Sequence, residues 1–240
     1  MFFGLFWGDW TILVLIPGLL LTLWAQFKVK STYQKYSTVH APWGMTGAAV
    51  ARRILDSNGL HHVPVQIIQG ELSDHYDPRS KVLCLSEAVY HGNNMAALGV
   101  AAHEVGHALQ DAKGYVPLHL RSALVPVCNF GSRLAMPLFL IGILLTALSG
   151  IVGEYLLFAG IALFSLTVIF QLVTLPVEFN ASRRAVRCLA NSGTLSDEQL
   201  KGSRRVLNAA AMTYVAALAV GLLSLLRLLL IAAQYTNRRD

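Results

Sequence analysis

The sequence predicts a mainly α-helical membrane protein with about four transmembrane helices and a small α+β domain in the cytoplasm. Three observations support this fold class. The 240 residues are 55% hydrophobic and only 13% charged, with a mean hydropathy of +0.52, which is outside the range of ordinary soluble domains. Apolar stretches long enough to cross a bilayer recur along the chain. A segment of normal polarity separates the first two of them.

Four segments are predicted to span the membrane, because each approaches the roughly 20 apolar residues that a spanning helix needs. They are Trp7–Ala25, Leu134–Gly150, Tyr155–Leu175 and Ala211–Ala233. This pattern divides the chain into five parts. They are an N-terminal anchor (1–27), a cytoplasmic domain (28–133), two transmembrane helices (134–175), a cytoplasmic segment (176–210) and a last helix with its tail (211–240).

Basic residues predict the orientation of these spans. Three lysines follow the first span, and a second basic cluster follows the third span, comprising Arg183, Arg184, Arg187, Lys201, Arg204 and Arg205. Because loops rich in Lys and Arg remain in the cytoplasm, we expect both termini on the opposite side. The formal net charge of +6 reflects this bias. No nucleic-acid partner is expected, since no nucleic-acid motif accompanies the basic residues.

The polar segment after the first span has the pattern of short helices and strands. Residues 46–57 predict a helix that ends at Asn58-Gly59, where Gly59 supplies a left-handed cap. Val63–Gln69 and Lys81–Leu85 predict two paired strands. The run of turn-forming residues at 73–80 is expected to connect them.

Two further helices are predicted from their capping residues. Asn93 or Asn94 is expected to begin an Ala-rich helix over Met95–Ala112, which ends before Gly114. After a break at 191–193, Ser196 and Gln199 have the spacing of a capping box. A long helix is expected to run from there through the last span.

A His-Glu-Val-Gly-His motif at residues 103–107 lies within the predicted Ala-rich helix. His103 and His107 are one turn apart on one helix face, so both imidazoles can reach the same metal ion. Zinc binds histidine nitrogen in such sites. Glu104 is predicted to reach a water on the ion and to act as general base. The motif therefore predicts a Zn2+ site with the chemistry of peptide hydrolysis.

A third metal ligand is needed, because catalytic zinc usually has three protein ligands. Glu178 is predicted to supply it, since it follows the third span on the side where the histidines also lie. A carboxylate at a membrane boundary is unfavourable unless it is paired or coordinated. Pro176 is expected to kink or end the span and so turn Glu178 inward. The weaker alternatives are Glu87, Glu154, Asp197 and Glu198.

Other polar residues have less specific interpretations. His75 and Tyr76 are candidates for stabilising an oxyanion, although ordinary loop positions explain them as well. Arg227 lies inside the last predicted span and can extend its charge toward the membrane surface.

Five segments together match a known family. They are Trp24–Gln26 with Lys28–Tyr33, Thr46–Ala48 with Ala51-Arg52, Asp74–Pro78, Ala102–Ala108 and Leu175–Phe179. They resemble the neutral zinc metallopeptidases, a family of bacterial membrane proteins. The resemblance covers nearly the whole chain. It implies a protein of the bacterial cytoplasmic membrane, and the basic residues described above predict that its active site faces the cytoplasm.

More distantly, the chain is similar to HtpX-like membrane proteases and to CAAX prenyl endopeptidases. In those proteins the third zinc ligand is a glutamate on a later helix near a membrane span, and Glu178 matches that position. An acid or amide four residues later commonly supports the metal ligands there. In this chain that position is Ser182, with Asn180 nearby.

These resemblances imply a zincin-like core of the gluzincin type, with an active-site helix beside a small sheet. In such folds the substrate backbone lies along an exposed edge strand, and Lys81–Leu85 is the expected strand. The implied substrate is a peptide or a membrane-associated protein within reach of the lipid bilayer. The sequence does not indicate an oligomeric state.

Two other functions are consistent with parts of the sequence. An inactive zinc-binding membrane scaffold would keep the histidines but leave Glu104 without an evident task. A structural zinc site is usually closed and rich in cysteine, which this motif is not. A transporter is the third alternative, but the predicted spans contain few polar residues and no matched pair of broken helices.

Overall fold

The computed structural model describes residues 9–70, 73–193 and 195–236, which are mostly helical and include a small three-stranded sheet. These residues form two compact units. The first unit contains 9–24, 120–174 and 214–236, and the second contains 25–119 and 175–213. The start of the first predicted span at Trp7 and the end of the predicted tail lie outside the described residues.

Helices make up most of both units. A 3-10 turn at Trp10–Leu15 leads directly into the first helix. The α-helices are α1 (Ile16–Ser37), α2 (Gly47–Ser57), α3 (Glu87–Tyr90), α4 (Met95–Ala112), α5 (Val116–Ser149), α6 (Ile151–Asn191) and α7 (Asp197–Thr236).

Four of these helical segments are long and apolar enough to cross a membrane, which agrees with the predicted number. They are Trp10–Ser37, Val116–Thr146, Ile151–Asn191 and Asp197–Tyr235. Each extends beyond the corresponding predicted span. The helix α6 also runs through Pro176 and ends only at Asn191, so the expectation that the helix ends near Pro176 is wrong. A proline removes one backbone donor, which a long, well-packed helix tolerates.

The first unit has an apolar core and a partly buried ion pair. Phe139 and Leu157 are almost fully buried in this core. The guanidinium of Arg227 lies 2.8 Å from the carboxylate of Asp9, and its Nε donates to Thr11 Oγ1 at 3.3 Å. Arg227 therefore has a charged partner within the protein, which reduces the cost of placing a charge in a membrane-spanning helix.

The sheet of the second unit has three strands in the order β1 (Val65–Ile68), β3 (Val82–Ser86), β2 (His75–Asp77). The strand β1 is parallel to β3, and β2 is antiparallel to it. The prediction that Lys81–Leu85 is an edge strand is therefore wrong, because β3 has a neighbour on each side. The run of turn-forming residues at 73–80 contains β2, which pairs with the edge of β3 opposite β1.

The core of the second unit lies between α2, α4 and the sheet. Leu55, Leu83, Leu85, Met95 and Leu98 are fully buried there. Both predicted helices of this unit begin and end close to the predicted residues. The side chains of the N-cap residues Thr46 and Asn94 accept hydrogen bonds from backbone N–H groups at 3.2 and 3.0 Å, and glycines with positive φ, Gly59 and Gly114, follow the helix ends.

The end of α6 and the start of α7 complete the second unit. The predicted capping box is present, because Ser196 N donates to Gln199 Oε1 at 3.0 Å and Gln199 N donates to Ser196 Oγ at 3.3 Å. One turn later, the buried Ser203 hydroxyl donates to the Met95 carbonyl at 3.1 Å. This contact fixes the start of α7 against the start of α4.

Candidate metal centre

The helix α4 carries the two histidines on one face. Small residues surround them, and the buried Ala101, Ala102 and Ala108 allow close packing of this helix. The rings of His103 and His107 are 4.8 Å apart between centroids and meet edge to face. The one-turn spacing of the motif thus places both imidazoles side by side, as predicted.

Glu178 reaches these histidines from α6. Its Oε2 lies 3.1 Å from Nε2 of His103 and 3.6 Å from Nε2 of His107. The carboxylate is almost fully buried, with 2% of the side chain exposed, and the three ligand atoms lie within 4.8 Å of one another. The structure therefore brings together the three residues that the sequence predicts as metal ligands.

The donor set and its spacing fit a zinc ion. Two donors about 2.1 Å from a tetrahedral ion are about 3.4 Å apart, which is close to the separations of 3.1 and 3.6 Å that join Glu178 to the two imidazoles. Two nitrogens and one carboxylate oxygen are also a ligand set of catalytic zinc. Among the residues that the structure describes, no second group of His, Cys, Asp or Glu has this arrangement.

Glu104 follows His103 and faces strand β2. Its carboxylate accepts a hydrogen bond of 3.1 Å from the backbone N–H of Tyr76. Burial is the main cause that raises the pKa of Glu104 to about 7, with further upward effects from Glu178 and Asp74 and an opposing one from His103. A carboxyl group that titrates near neutral pH can both accept and return a proton.

Tyr76 is held in place by its hydroxyl group. The hydroxyl donates to Asp111 Oδ2 at 2.7 Å, and the Lys81 ammonium lies 2.5 Å from the same oxygen. Burial and the hydrogen bond to Asp111 raise the pKa of Tyr76, so the phenol stays protonated. These contacts join β2 to the end of α4. They also occupy the Tyr76 hydroxyl, which was a sequence-based candidate for stabilising an oxyanion.

His75 is exposed, and its Nδ1 lies 2.8 Å from the Ser73 carbonyl oxygen. A carbonyl can only accept, so Nδ1 carries the proton. The oxyanion role of His75 and Tyr76 stays a prediction.

Both histidines have a second polar contact, through Nδ1. The hydroxyl of Ser182 lies 3.2 Å from Nδ1 of His103, so the residue four positions after Glu178 does contact one of the predicted ligands. The side chain of Gln110 lies 3.0 Å from Nδ1 of His107, a contact that was not predicted from the sequence. The spacing of the two residues could have indicated it, because residues three apart on a helix are neighbours on one face.

The helices α4 and α6 approach each other closely beside the motif. A Cβ atom added at Gly106 would lie only 2.5 Å from the carbonyl oxygen of Ala181. The glycine at this position therefore lets the backbone of α6 reach α4. That approach brings Glu178 within reach of both histidines.

Replacing Gly106 by Ala is expected to weaken zinc binding and to destabilise the protein by about 1–3 kcal/mol, because the methyl group forces the two helices apart. The measurements are zinc affinity by chelator competition and thermal unfolding of the metal-free protein. Gly99→Ala, on the same helix, is the matched control, since its nearest contact of 3.5 Å is ordinary. Wild-type zinc affinity in Gly106→Ala would contradict the role of this close approach.

The comparisons with known proteins agree with the geometry of this site. Residues 11–233 match the family described as "Putative neutral zinc metallopeptidase". The chain is also 51% identical over 229 residues to "Putative membrane protease YugP" of Bacillus subtilis (strain 168), which covers 95% of this chain and 98% of that protein. No solved structure matches the chain. The chain therefore belongs to the family of proteins described as putative neutral zinc metallopeptidases.

Proposed function

We propose that this protein is a membrane-embedded zinc metalloendopeptidase that hydrolyses peptide bonds. His103, His107 and Glu178 hold the zinc ion, and Glu104 is the general base. The observation that carries the proposal is the convergence of two Nε2 atoms and one carboxylate oxygen within 4.8 Å, directly beside a second carboxylate that is not part of the ligand set.

The chemistry divides between the ion and Glu104. Bound zinc polarises the scissile carbonyl and lowers the pKa of a water molecule. Glu104 accepts a proton from the attacking water and returns it to the leaving amine. The Tyr76 N–H orients one carboxylate oxygen of Glu104, so that the carboxylate does not have to reorganise during the reaction.

The same residues support the gluzincin assignment and a zincin-like core. A helix with the two histidines lies next to a small sheet, and the third ligand is a glutamate on a later helix. This arrangement is also the one that HtpX-like and CAAX prenyl endopeptidases use, which favours a common mechanism of peptide cleavage.

The substrate is proposed to be an extended peptide segment that lies along β2. The Tyr76 N–H bonds Glu104, so the backbone groups of Tyr76 point away from β3. The flanking residues His75 and Asp77 consequently direct their backbone groups toward β3. The outer edge of β2 therefore borders Glu104. Because Glu104 holds the Tyr76 N–H, a peptide added to this edge pairs with the Tyr76 carbonyl and has its backbone beside the general base.

The site is proposed to face the cytoplasm of a bacterial cell. Lysine and arginine are concentrated after the first and third predicted spans, which favours a cytoplasmic location of the loops that follow these spans. Both termini are then on the opposite side of the membrane, and the substrates are membrane-associated proteins or peptides on the cytoplasmic side.

This orientation predicts the pattern of cysteine labelling in intact cells. After replacement of the native cysteines, His62→Cys and Glu198→Cys, both at exposed positions, are expected to resist an impermeant thiol reagent added outside. Ile151→Cys, at the connection between α5 and α6, is the matched control and is expected to react. Ready labelling of the first two variants would reverse the proposed orientation.

The proposed activity is tested with purified full-length protein in detergent. Zinc content is determined on the same samples that are assayed for cleavage of an unstructured protein. Wild type is compared with Glu104→Gln, because this pair separates metal binding from catalysis.

A further inference from the structure

The side chain of Gln110 makes three polar contacts, although the proposed reaction assigns no role to this residue. It lies three residues after His107 on α4, and its side chain is fully buried. Its Oε1 lies 3.0 Å from Nδ1 of His107. Its Nε2 donates to the Val177 carbonyl at 2.7 Å and to Asn180 Oδ1 at 3.1 Å. All polar atoms of this amide are thus engaged between the two helices that carry the metal ligands.

The orientation of this amide is determined by its partners on α6. The Val177 carbonyl can only accept a hydrogen bond, so the NH2 group of Gln110 must face it. Asn180 Oδ1 also accepts from Arg184 Nε, at 2.7 Å, and a guanidinium can only donate. The oxygen of Asn180 therefore faces both donors, and the opposite side of the Gln110 amide presents its oxygen to His107.

The orientation of Gln110 determines which nitrogen of the neutral His107 ring carries the proton. An amide oxygen can only accept, so Nδ1 of His107 must carry the proton. In the neutral ring the lone pair is then on Nε2, the atom that lies 3.6 Å from Glu178. The hydrogen bond made by one ring nitrogen determines which form of the other is available to a metal.

We infer that Gln110 is a positioning residue that selects the metal-binding tautomer of His107, with Val177 and Asn180 holding the amide in the required orientation. The inference rests on the proposed function only in taking His107 as a metal ligand. It assigns no contact with substrate to Gln110. The residue acts through the imidazole, by fixing its rotation and its tautomer before the ion binds.

Two replacements at this position separate positioning from simple packing. Gln110→Glu keeps an acceptor for His107 but loses both donors to α6, whereas Gln110→Met has similar length and keeps neither. A purely structural amide predicts equal effects of both variants on zinc affinity. A positioning amide predicts rescue by Glu, because a carboxylate is a common acceptor for the second nitrogen of a zinc-bound histidine.

The experiment uses the purified full-length protein in detergent and measures zinc affinity by competition with a chromophoric chelator. Gln110→Met is expected to bind zinc about 10- to 100-fold more weakly than wild type, and Gln110→Glu to bind it more tightly than Gln110→Met. The visible spectrum of bound Co2+ is expected to change in the Met variant. Gln34→Met, at an exposed position of α1, is the control and should match wild type in both measurements.

Thermal unfolding of the metal-free proteins shows whether the variants remain folded. Wild-type zinc affinity in Gln110→Met would overturn the inference, as would equal losses of affinity in both variants that parallel equal losses of thermal stability. A wild-type protein that binds zinc yet cleaves no peptide would overturn the proposed function alone. The zinc affinities of the Gln110 variants would then still decide the role of this residue.

Discussion

Glu104→Gln is expected to lower the rate of peptide cleavage by about 100- to 10,000-fold while zinc stays bound. Glutamine has nearly the same shape as glutamate, and its amide oxygen can still accept the hydrogen bond from the Tyr76 N–H. The three proposed ligands are unchanged. What the variant lacks is a group that can take a proton from water and return it to the leaving amine.

The measurement is the cleavage rate of an unstructured protein together with the zinc content of each sample. Glu87→Gln is the matched control, because this carboxylate is exposed in the first turn of α3 and should leave both values unchanged. Undiminished cleavage by Glu104→Gln would exclude Glu104 as the general base. A wild-type protein that binds zinc without cleaving any peptide would instead favour the scaffold hypothesis.

Local signals in the sequence were sufficient to predict α2, α4 and the start of α7. The caps at Asn94 and Ser196 and the glycines that follow α2 and α4 depend on neighbouring residues only. The histidine spacing of the motif depends on the helix period alone. For this reason the face of α4 that carries both histidines was predictable without any knowledge of the fold.

The sheet was predicted less well, because its order depends on contacts between residues far apart in sequence. The strand β2 has only three residues and lies in a run of turn formers. Its pairing with β3 and the contacts of Tyr76 with Glu104 and Asp111 define it as a strand. Without β2, β3 has a free side, which explains its wrong prediction as the exposed edge.

The lengths of the helices also exceeded the prediction for a physical reason. Hydropathy marks only the apolar part of a helix, whereas backbone hydrogen bonding continues into polar sequence. The helix α6 therefore extends well beyond the predicted end of its span, and Glu178 lies inside a continuous helix. The contact of Ser182 with His103 depends on how this extension packs on α4, which no local pattern reports.

Glu178→Gln is expected to lose more than about 100-fold in zinc affinity and to lose peptide cleavage with it. Loss of a supporting contact alone weakens metal sites about 10- to 100-fold, and this variant removes a ligand charge. The carboxylate lies 3.1 and 3.6 Å from the two imidazoles and is almost fully buried. A neutral amide of the same size keeps the packing but cannot balance the charge of the ion.

The measurement is zinc content after dialysis against a weak chelator, followed by the cleavage assay. Glu154→Gln and Glu198→Gln are the controls, since these acids lie outside the ligand cluster and should keep both zinc and activity. Glu104→Gln provides the decisive contrast, because it should keep zinc and lose activity. Full zinc occupancy in Glu178→Gln would remove Glu178 from the ligands. The two glutamates both lie beside the histidines and are thus distinguished by zinc content, which Glu178→Gln loses and Glu104→Gln keeps.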